Sequence, residues 1–257
     1  MTDRRPSPRD RYLTVYGRRP VLAALTDPEL TVAKLHLAER VDGPTIEAIL
    51  DAAEEHGVEV ERTSAARVKM LSGNGKQDQG VAADVVASRM RGLADWLSDP
   101  PATAQVLLLD GITTPANVGM IIRTATAAGL DGIIVPTRGV AELGPLVVKA
   151  SAGIAFRAPL LRCRTAVEAL TLLRQERFRV YGLAGEARTD LFSAQFAERS
   201  VFCLGSETSG LTPEVRQHVQ VPVSIPMAHE VDSLNVASAA AVLCFELVRR
   251  RGSLEVP

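Results

Sequence analysis

Short apolar runs alternate with helix-forming patterns through the second half of the chain, and this alternation restricts the fold more than any other feature. The apolar runs are Val106–Leu109, Gly132–Val135, Arg179–Leu183, Val201–Leu204 and Val223–Ile225. The helical patterns are Val118–Ala128, Leu143–Ala150, Ala166–Glu176, Pro213–Val219 and Leu234–Arg250. Continuous apolar runs are typical of strands buried on both faces, and helices that alternate with them form the crossovers of a parallel sheet. The sequence therefore predicts an α/β domain in which helices cover a parallel sheet.

A smaller α/β domain is predicted before this one. Its strand patterns are Val32–Leu37, Val58–Val60 and Gly80–Val86, and its helical patterns are Arg18–Leu25, Thr45–His56 and Ala65–Leu71. Residues 88–104 are interpreted as a linker, because Ser98-Asp99-Pro100-Pro101 disfavours a helix. The predicted organisation is a disordered, arginine-rich N-terminus at 1–11, a small domain at 12–87, the linker at 88–104 and a larger domain at 105–251.

The composition is that of a globular protein, with 46% hydrophobic and 23% charged residues. A net charge of −1 excludes a strongly basic, histone-like nucleic-acid binder, although arginines cluster within residues 1–19 and 157–179. The longest apolar stretch, Val236–Val248, contains Ser238 and Glu246 and is too short for a membrane-spanning helix. Since the N-terminus also lacks the pattern of a secretory signal, we expect a cytoplasmic protein without a membrane partner.

The cysteines Cys163, Cys203 and Cys244 are far apart in the sequence and form no C-x-x-C pair. This spacing fits neither a disulfide framework nor a zinc site. We therefore expect the thiols to be reduced and buried, and we expect no metal.

Ligands of open parallel sheets bind beyond the carboxyl ends of the strands, so the loops that follow the strands are the candidate sites. In the first such loop, Asn117 is predicted to cap the next helix, and Gly119 to let a partner approach its first turn. Arg123 follows in a helix of Met, Ile, Ala and Thr, where a charged side chain needs a path to solvent or an anionic partner. Arg123 is thus either an arginine that extends to solvent at the helix edge or an anion-binding residue.

Two further loops carry polar groups in unusual surroundings. The segment Leu204–Leu211 places Glu207 among small residues, which is typical either of a turn with a helix cap or of a ligand-binding loop. After Ile225-Pro226-Met227 the chain reaches Ser233, which is predicted to be the N-cap of the last helix. Asn235 is then expected just inside an apolar helix, where asparagine is unfavourable and therefore suggests a polar task.

In this order and spacing, the three loops resemble the motifs of the SpoU-type (TrmH-like) RNA 2′-O-ribose methyltransferases of the SPOUT superfamily. The residues that carry the resemblance are Asn117, Gly119 and Arg123 in N-x-G-x-x-x-R, Leu204 to Leu211 in L-G-x-E-x-x-G-L, and Ile225-Pro226-Met227 with Ser233-Leu234-Asn235-Val236 in the third motif. Upstream, Tyr16–Leu22 and Gln79–Ala83 resemble the ends of the small ribosomal-protein-like RNA-binding domain that precedes the catalytic domain in many members. The resemblance covers residues 12–250 and is greatest to the subgroup that methylates a guanosine ribose in 23S ribosomal RNA.

The resemblance implies a trefoil-knotted, homodimeric catalytic domain that uses S-adenosylmethionine to methylate an RNA 2′-hydroxyl. The catalytic set that it implies is Arg123, Asn117, Glu207, Ser233 and Asn235. The residues that it implies for cofactor binding are Gly185, Leu204, Gly205, Ile225, Met227 and Leu234, and those for RNA binding are Arg18, Arg19 and Arg123. A guanidinium rarely releases its proton, so we expect Arg123 to clamp phosphate while the hydroxyl proton leaves late, to phosphate or water.

The sequence departs from the family pattern at three positions. Ser206 stands where asparagine is common, Thr114 where aspartate is frequent, and His229 where glycine is usual. None of these removes an implied catalytic side chain. A change at His229 would act on the cofactor loop or on the choice of substrate, and otherwise His229 is interpreted as an ordinary loop histidine.

Two other classes of protein remain as alternatives. A dehydrogenase on a doubly wound sheet needs G-x-G-x-x-G, and Gly182 and Gly185 have the wrong spacing for it. A non-catalytic RNA-binding protein on the same scaffold would have little reason to keep the three motifs together. Within the enzyme class, tRNA is the alternative substrate. The sequence leaves open which nucleotide is methylated, whether Arg123 acts within its own subunit or across the dimer, and whether the role is housekeeping or antibiotic resistance.

Overall fold

The structure is a computed structural model, and it describes residues 11–73, 77–228 and 233–252. Residues 1–10 of the N-terminus predicted to be disordered lie outside these ranges, and so does His229. The described chain divides into two compact units. The first unit comprises the chain up to Ser88 together with Leu143–Lys149, and the second comprises Arg89–Glu142 and the chain from Ala150 onward.

The first unit is a four-stranded sheet with helices. Its elements are β1 (Tyr12–Tyr16), α1 (Arg18–Thr26), β2 (Val32–Ala38), α2 (Pro44–Glu55), β3 (Glu59–Thr63), α3 (Ala65–Ser72) and β4 (Val81–Val86). The strand order is β1-β4-β2-β3, in which β4 is antiparallel to both neighbours and β2 is parallel to β3. Every helix and strand predicted for this unit is present, with ends that differ by at most a few residues. Strand β1 was not predicted, although Leu13 and Val15 alternate with half-buried residues as in a strand with one face in the core.

The second unit is built on a parallel sheet, as the sequence predicts. Its elements are β5 (Arg91–Gly92), α4 (Leu93–Leu97), β6 (Ala104–Leu109), α5 (Pro115–Ala127), β7 (Gly132–Pro136), β8 (Leu160–Cys163), α7 (Ala166–Gln175), β9 (Arg179–Leu183), β10 (Thr189–Asp190), β11 (Arg199–Leu204), α8 (Pro213–Arg216), β12 (Val221–Ser224) and α9 (Val236–Arg251), while α6 (Pro145–Ala150) belongs mainly to the first unit. The strand order is β10-β12-β9-β11-β6-β7-β8-β5, and neighbouring strands run parallel. The α/β fold class is confirmed, and the trefoil knot stays a prediction.

Residues 88–104 contain more structure than the linker interpretation expects. Helix α4 occupies Leu93–Leu97, where Leu93, Trp96 and Leu97 share one apolar face at helical spacing. Trp96 is 3% exposed and its ring lies 5.9 Å from that of Phe178. The Pro-rich segment ends this helix rather than preventing it. A short apolar face of this kind gains its stability from the core against which it packs, which local sequence does not reveal.

The thiols are free, with Cys203 and Cys244 buried and Cys163 half-buried. Burial raises the pKa of Cys163 and of Cys244 to about 12, so both thiols are protonated at neutral pH. Within the described ranges, no group of three or more His, Cys, Asp or Glu side chains is arranged to hold a metal ion. No helix in the described part of the chain is both long enough and apolar enough to cross a membrane.

Glu246 of α9 is buried, and arginines surround its carboxylate. Arg249 donates to it from Nε at 2.7 Å and from Nη2 at 2.8 Å, and Arg250 donates from Nε at 2.6 Å. The bonds from Arg249, opposed by burial and reinforced by Arg250, lower the pKa of Glu246 to about 2. Arg250 also donates from Nη2 to the carbonyl of Leu191 at 2.7 Å, so this ion cluster fastens the last helix to the rest of the unit.

Glu246→Gln should remove part of the acid sensitivity of folding. A depressed carboxyl pKa contributes stability that is complete above the usual pKa of 4.5 and is lost as pH falls toward 2. Urea unfolding should therefore show that the variant is less stable than the wild type at pH 7. The difference between their unfolding free energies, called the gap below, should narrow between pH 4.5 and pH 2. Glu54→Gln, at an exposed position of α2, is the control and should leave the gap near zero at every pH. A gap that stays constant with pH would contradict this assignment.

Candidate active site at the carboxyl ends of the strands

Three polar side chains from the three predicted motifs meet in one cluster. Asn117 donates from Nδ2 to Oε1 of Glu207 at 3.1 Å, and Asn235 donates from Nδ2 to Oδ1 of Asn117 at 3.2 Å. Asn235 also donates to Oε1 of Glu207. The backbone N–H of Val236 completes the set with a 3.3 Å bond to the same oxygen. Glu207 is thus the acceptor that holds the two amides in fixed orientations.

Asn117 lies within the first turn of α5 and does not cap it, so that part of the prediction is wrong. The N-cap is Thr114, and Pro115 is the first helical residue, where its fixed φ favours the start of a helix. This start places Asn117 inside the helix with only 6% of its surface exposed. Since its amide is buried, its hydrogen bonds to Glu207 and Asn235 satisfy groups that would otherwise be costly.

Asn235, and not Ser233 as predicted, is the N-cap of α9. Its Oδ1 accepts from the N–H groups of Ala237 at 2.9 Å and Ser238 at 3.4 Å. Its Nδ2 faces Glu207 and Asn117, so both ends of the amide are used. The prediction that Asn235 lies just inside the helix is therefore wrong, because the helix begins two residues later than Ser233 suggested and asparagine is favoured at its N-cap. The bonds from Nδ2 to Glu207 and Asn117 are what give Asn235 a polar role beyond the cap.

Asn235→Ala should destabilise the protein by about 1 kcal/mol through loss of the cap. Asn235→Ser keeps an oxygen acceptor for the cap but removes the Nδ2 donor to Glu207. We therefore expect serine to restore most of the unfolding free energy in urea titrations but not the positioning of Asn117 and Glu207. If both variants were equally unstable, capping would not be the main structural role of Asn235.

The loop that carries Glu207 turns tightly after β11. Ser206 and Gly210 bond to each other through both backbone pairs, at 3.0 and 2.9 Å. A Cβ atom on Gly205 would lie 2.1 Å from the carbonyl carbon of Gly210 and 2.3 Å from the nitrogen of Leu211, so only glycine fits there. The Oγ atoms of Ser206 and Ser209 share a 2.8 Å hydrogen bond that stabilises the same turn.

A cavity of about 850 Å³ opens beside this turn, at the carboxyl ends of β9, β11 and β12. The residues predicted for cofactor binding all line it, namely Gly185, Leu204, Gly205, Ile225, Met227 and Leu234. Glu207 and Ser233 also line the cavity. Its size is within the range of about 300–1,000 Å³ usual for small-ligand sites, and its mixture of aliphatic, glycine and charged residues fits a nucleoside with an amino-acid tail. The residues present therefore suit S-adenosylmethionine.

Arg123 is exposed on α5 and makes no hydrogen bond or ion pair with the residues that the structure describes. It does not line the cavity, nor do Asn117 and Asn235. The guanidinium therefore has access to solvent, which is compatible with both predicted interpretations, the arginine that extends to solvent and the anion-binding residue. In the first unit, Arg18 donates from Nη1 to the carbonyl of Asp42 at 3.0 Å, whereas Arg19 is exposed.

Sequence reasoning missed several charged residues of the cavity. Glu186, Arg188 and Arg216 line it but belong to none of the three motifs. Glu186 and Arg188 follow β9, so the rule that ligands bind beyond strand ends was a usable signal. Arg216 ends the short helix α8, and nothing local distinguishes it from a surface arginine.

Comparisons with known proteins agree with the motifs. The family model described as the SpoU rRNA Methylase family matches residues 104–245, and the model described as RNA 2′-O ribose methyltransferase substrate binding matches residues 14–91. The 23S rRNA (guanosine-2′-O-)-methyltransferase RlmB of Pseudomonas putida is 35% identical over 92% of this chain and 96% of its own length. The relative of the same name from Xylella fastidiosa is 36% identical over 79% of this chain and 82% of its own length.

Among solved structures, the fold is similar to that of the SpoU methyltransferase AviRb from Streptomyces viridochromogenes in complex with the cofactor AdoMet. The TM-score is 0.72 at 25% identity, with 95% of this chain and 92% of that chain covered. The fold, the clustered motifs and these matches together lead to one conclusion. The chain belongs to the SpoU rRNA methylase family.

Proposed function

We propose that this protein transfers a methyl group from S-adenosylmethionine to the 2′-hydroxyl of a guanosine ribose in 23S ribosomal RNA. The observation that carries the proposal is the joint position of the Asn117–Glu207–Asn235 cluster and the cavity, since Glu207 belongs to both. Relatives named for this reaction align along nearly the whole chain, including the first unit, which supports ribosomal RNA over tRNA. A ribosomal RNA substrate also supports our proposal that the protein acts in the cytoplasm.

The residues around the cavity would hold the cofactor by its shape and its backbone contacts. Gly205 lets the 205–211 turn fold back tightly, and Ile225 and Leu234 supply apolar walls. S-adenosylmethionine, when bound, supplies the methyl group that the ribose oxygen accepts. Gly185, Leu204 and Met227 complete the cofactor set, as the family resemblance implies.

The polar cluster would orient the ribose rather than remove its proton. Oε1 of Glu207 already accepts from Asn117, Asn235 and Val236, so its task is to fix the two amides. Fixed amides can direct a hydroxyl to attack distance, and such orientation supplies much of the rate of a transfer reaction. Ser233, exposed at the mouth of the cavity, adds a hydroxyl donor.

Arg123 would clamp a phosphate beside the target ribose. An arginine bonds phosphate through two parallel N–H groups, and the free, exposed guanidinium of Arg123 satisfies this requirement. Because arginine keeps its proton, the hydroxyl proton would pass to phosphate or water. Arg18 and Arg19, at the start of α1, would bind the RNA backbone from the first unit, and we assign residues 12–87 to that role.

Methyl transfer to unmodified RNA tests the proposal directly. Purified protein with labelled S-adenosylmethionine would be given unmodified 23S ribosomal RNA and unmodified tRNA in parallel, and the RNA digested to nucleosides. The expected product is 2′-O-methylguanosine from ribosomal RNA alone. Label in tRNA alone would keep the chemistry and overturn the substrate, and absence of label with the cofactor bound would support a non-catalytic RNA-binding protein.

We also propose that the protein is a homodimer that joins through α5 and α9. The exposed positions of α5 are Ala116, Met120, Arg123 and Ala127, which repeat at helical spacing, and α9, which packs beside it, exposes Phe245. Apolar side chains exposed on adjacent helices are typical of a subunit interface. Since Arg123 shares the exposed face of Met120, this interface would bring it to the subunit boundary.

Met120→Asp and Phe245→Asp should each shift the protein from dimer to monomer at micromolar concentration, because a charge would be buried in the interface. Light scattering after size exclusion measures the mass. Met70→Asp, at the exposed Met70 of α3, is the matched control and should remain dimeric. A monomeric wild type would refute the proposed assembly.

A further inference from the structure

Glu186 and Arg216 bring opposite charges to one end of the cavity from separate segments. Glu186 lies in the loop after β9, and Arg216 is the last residue of α8. Both line the cavity, and Nη1 of Arg216 lies 3.5 Å from Oε1 of Glu186. The pair therefore links the loop after β9 to helix α8 at the wall of the cavity.

This ion pair contributes little to folding. The side chains are 58% and 71% exposed, and their contact is long and involves one oxygen. Exposed pairs of this kind contribute between zero and about 1 kcal/mol to stability. The Nε and Nη2 groups of Arg216 make no hydrogen bond with any described residue. Most of the guanidinium donors thus remain available to a ligand.

We propose that Glu186 and Arg216 recognise the amino-acid end of the cofactor, an inference that rests on the proposed function. That end carries a carboxylate and an ammonium on the same carbon atom. Arg216 can bond the carboxylate through its planar fork, and Glu186 can accept from the ammonium. One weak contact between the two side chains would thereby be exchanged for two charge-assisted contacts with the ligand.

The position of the other charged groups supports this assignment. Glu207 already holds Asn117 and Asn235 at the β6–β11 side of the site, so its Oε1 is occupied. Glu186 stands at the end of β9, on the other side of β11 from that cluster. Leu204, Ile225 and Leu234 also line the cavity, and these apolar side chains suit an adenosine better than a charge. The charged tail therefore fits at the Glu186–Arg216 end.

Two cofactor analogues that differ only at the tail test this inference. S-adenosylhomocysteine retains the amino-acid end, whereas 5′-methylthioadenosine lacks it. Calorimetry would measure the affinity of both analogues for the full-length wild type, Arg216→Gln, Glu186→Gln and the control Arg174→Gln. Arg174 is an exposed arginine of α7 that does not line the cavity, so the control removes a surface charge outside the binding site.

Arg216→Gln should lower the affinity for S-adenosylhomocysteine by about 10-fold or more. It should lower the affinity for 5′-methylthioadenosine by less than about twofold. Glu186→Gln should also weaken S-adenosylhomocysteine more than 5′-methylthioadenosine, and Arg174→Gln should change the affinity of neither analogue. Equal losses for both analogues, or no loss for either, would overturn the inference while leaving the cofactor assignment intact. A wild type that binds neither analogue would overturn the proposed function and this inference together. Thermal unfolding of each variant checks that these exposed substitutions leave the fold unchanged.

Discussion

Arg123→Ala is expected to lower the rate of methyl transfer by at least about 100-fold while cofactor affinity stays unchanged. Loss of a group that orients the reacting atoms has effects of this size. Arg123 does not line the cavity, and it makes no hydrogen bond or ion pair with other described residues, so its removal should leave both the cofactor site and the fold as they are. Single-turnover methylation and calorimetry with S-adenosylhomocysteine measure the two quantities separately.

Arg174→Ala is the matched control for this variant. Arg174 is an exposed arginine of α7, a helix that contributes no residue to the polar cluster or the cavity. The control should methylate RNA at the wild-type rate. The methylation rate of Arg123→Lys should lie between those of Arg123→Ala and the control, because lysine keeps the charge but lacks the two parallel N–H donors of arginine. Wild-type turnover by Arg123→Ala would show that the phosphate clamp is assigned to the wrong residue.

Gly205→Ala is expected to weaken cofactor binding by at least about 100-fold, since the three atoms nearest to its Cβ would all belong to the backbone. The nearest are the carbonyl carbon and oxygen of Gly210, at 2.1 and 2.4 Å, and the nitrogen of Leu211, at 2.3 Å. No side-chain rotation relieves such contacts. The 205–211 turn must open, which displaces Glu207 and the wall of the cavity together.

Gly92→Ala is the control, because its Cβ would meet only the end of the flexible Asp95 side chain, at 2.9 Å. We expect this variant to bind S-adenosylhomocysteine like the wild type. Urea unfolding should show a loss of about 1–3 kcal/mol for Gly205→Ala, the usual range for overpacking. Normal cofactor affinity in Gly205→Ala would mean that the turn tolerates opening and that the cavity is held by other contacts.

The sequence predicted the local elements of both units and missed those whose stability comes from packing. The apolar runs became β6, β7, β9, β11 and β12 close to their expected ends. Helix α4 was missed because its five residues are too few to show a periodicity, and strand β8 was missed because Arg162 interrupts its apolar pattern. Helix starts were misplaced at Asn117 and Ser233, since a cap depends on backbone angles that side-chain preference constrains only weakly.

By itself the sequence determined which residues of the three motifs are candidates for the chemistry, because each motif is local and its residue types are specific. The tertiary structure alone decided how they combine. Asn117 and Glu207 are 90 residues apart in the chain, and Asn117 and Asn235 are 118 apart, yet each pair is joined by a hydrogen bond. They meet because β11 pairs directly with β6, so the loops after these strands open at the same edge. The charges of Glu186 and Arg216 face one cavity for a similar reason, since the order of strands in a sheet is set by packing of the whole chain.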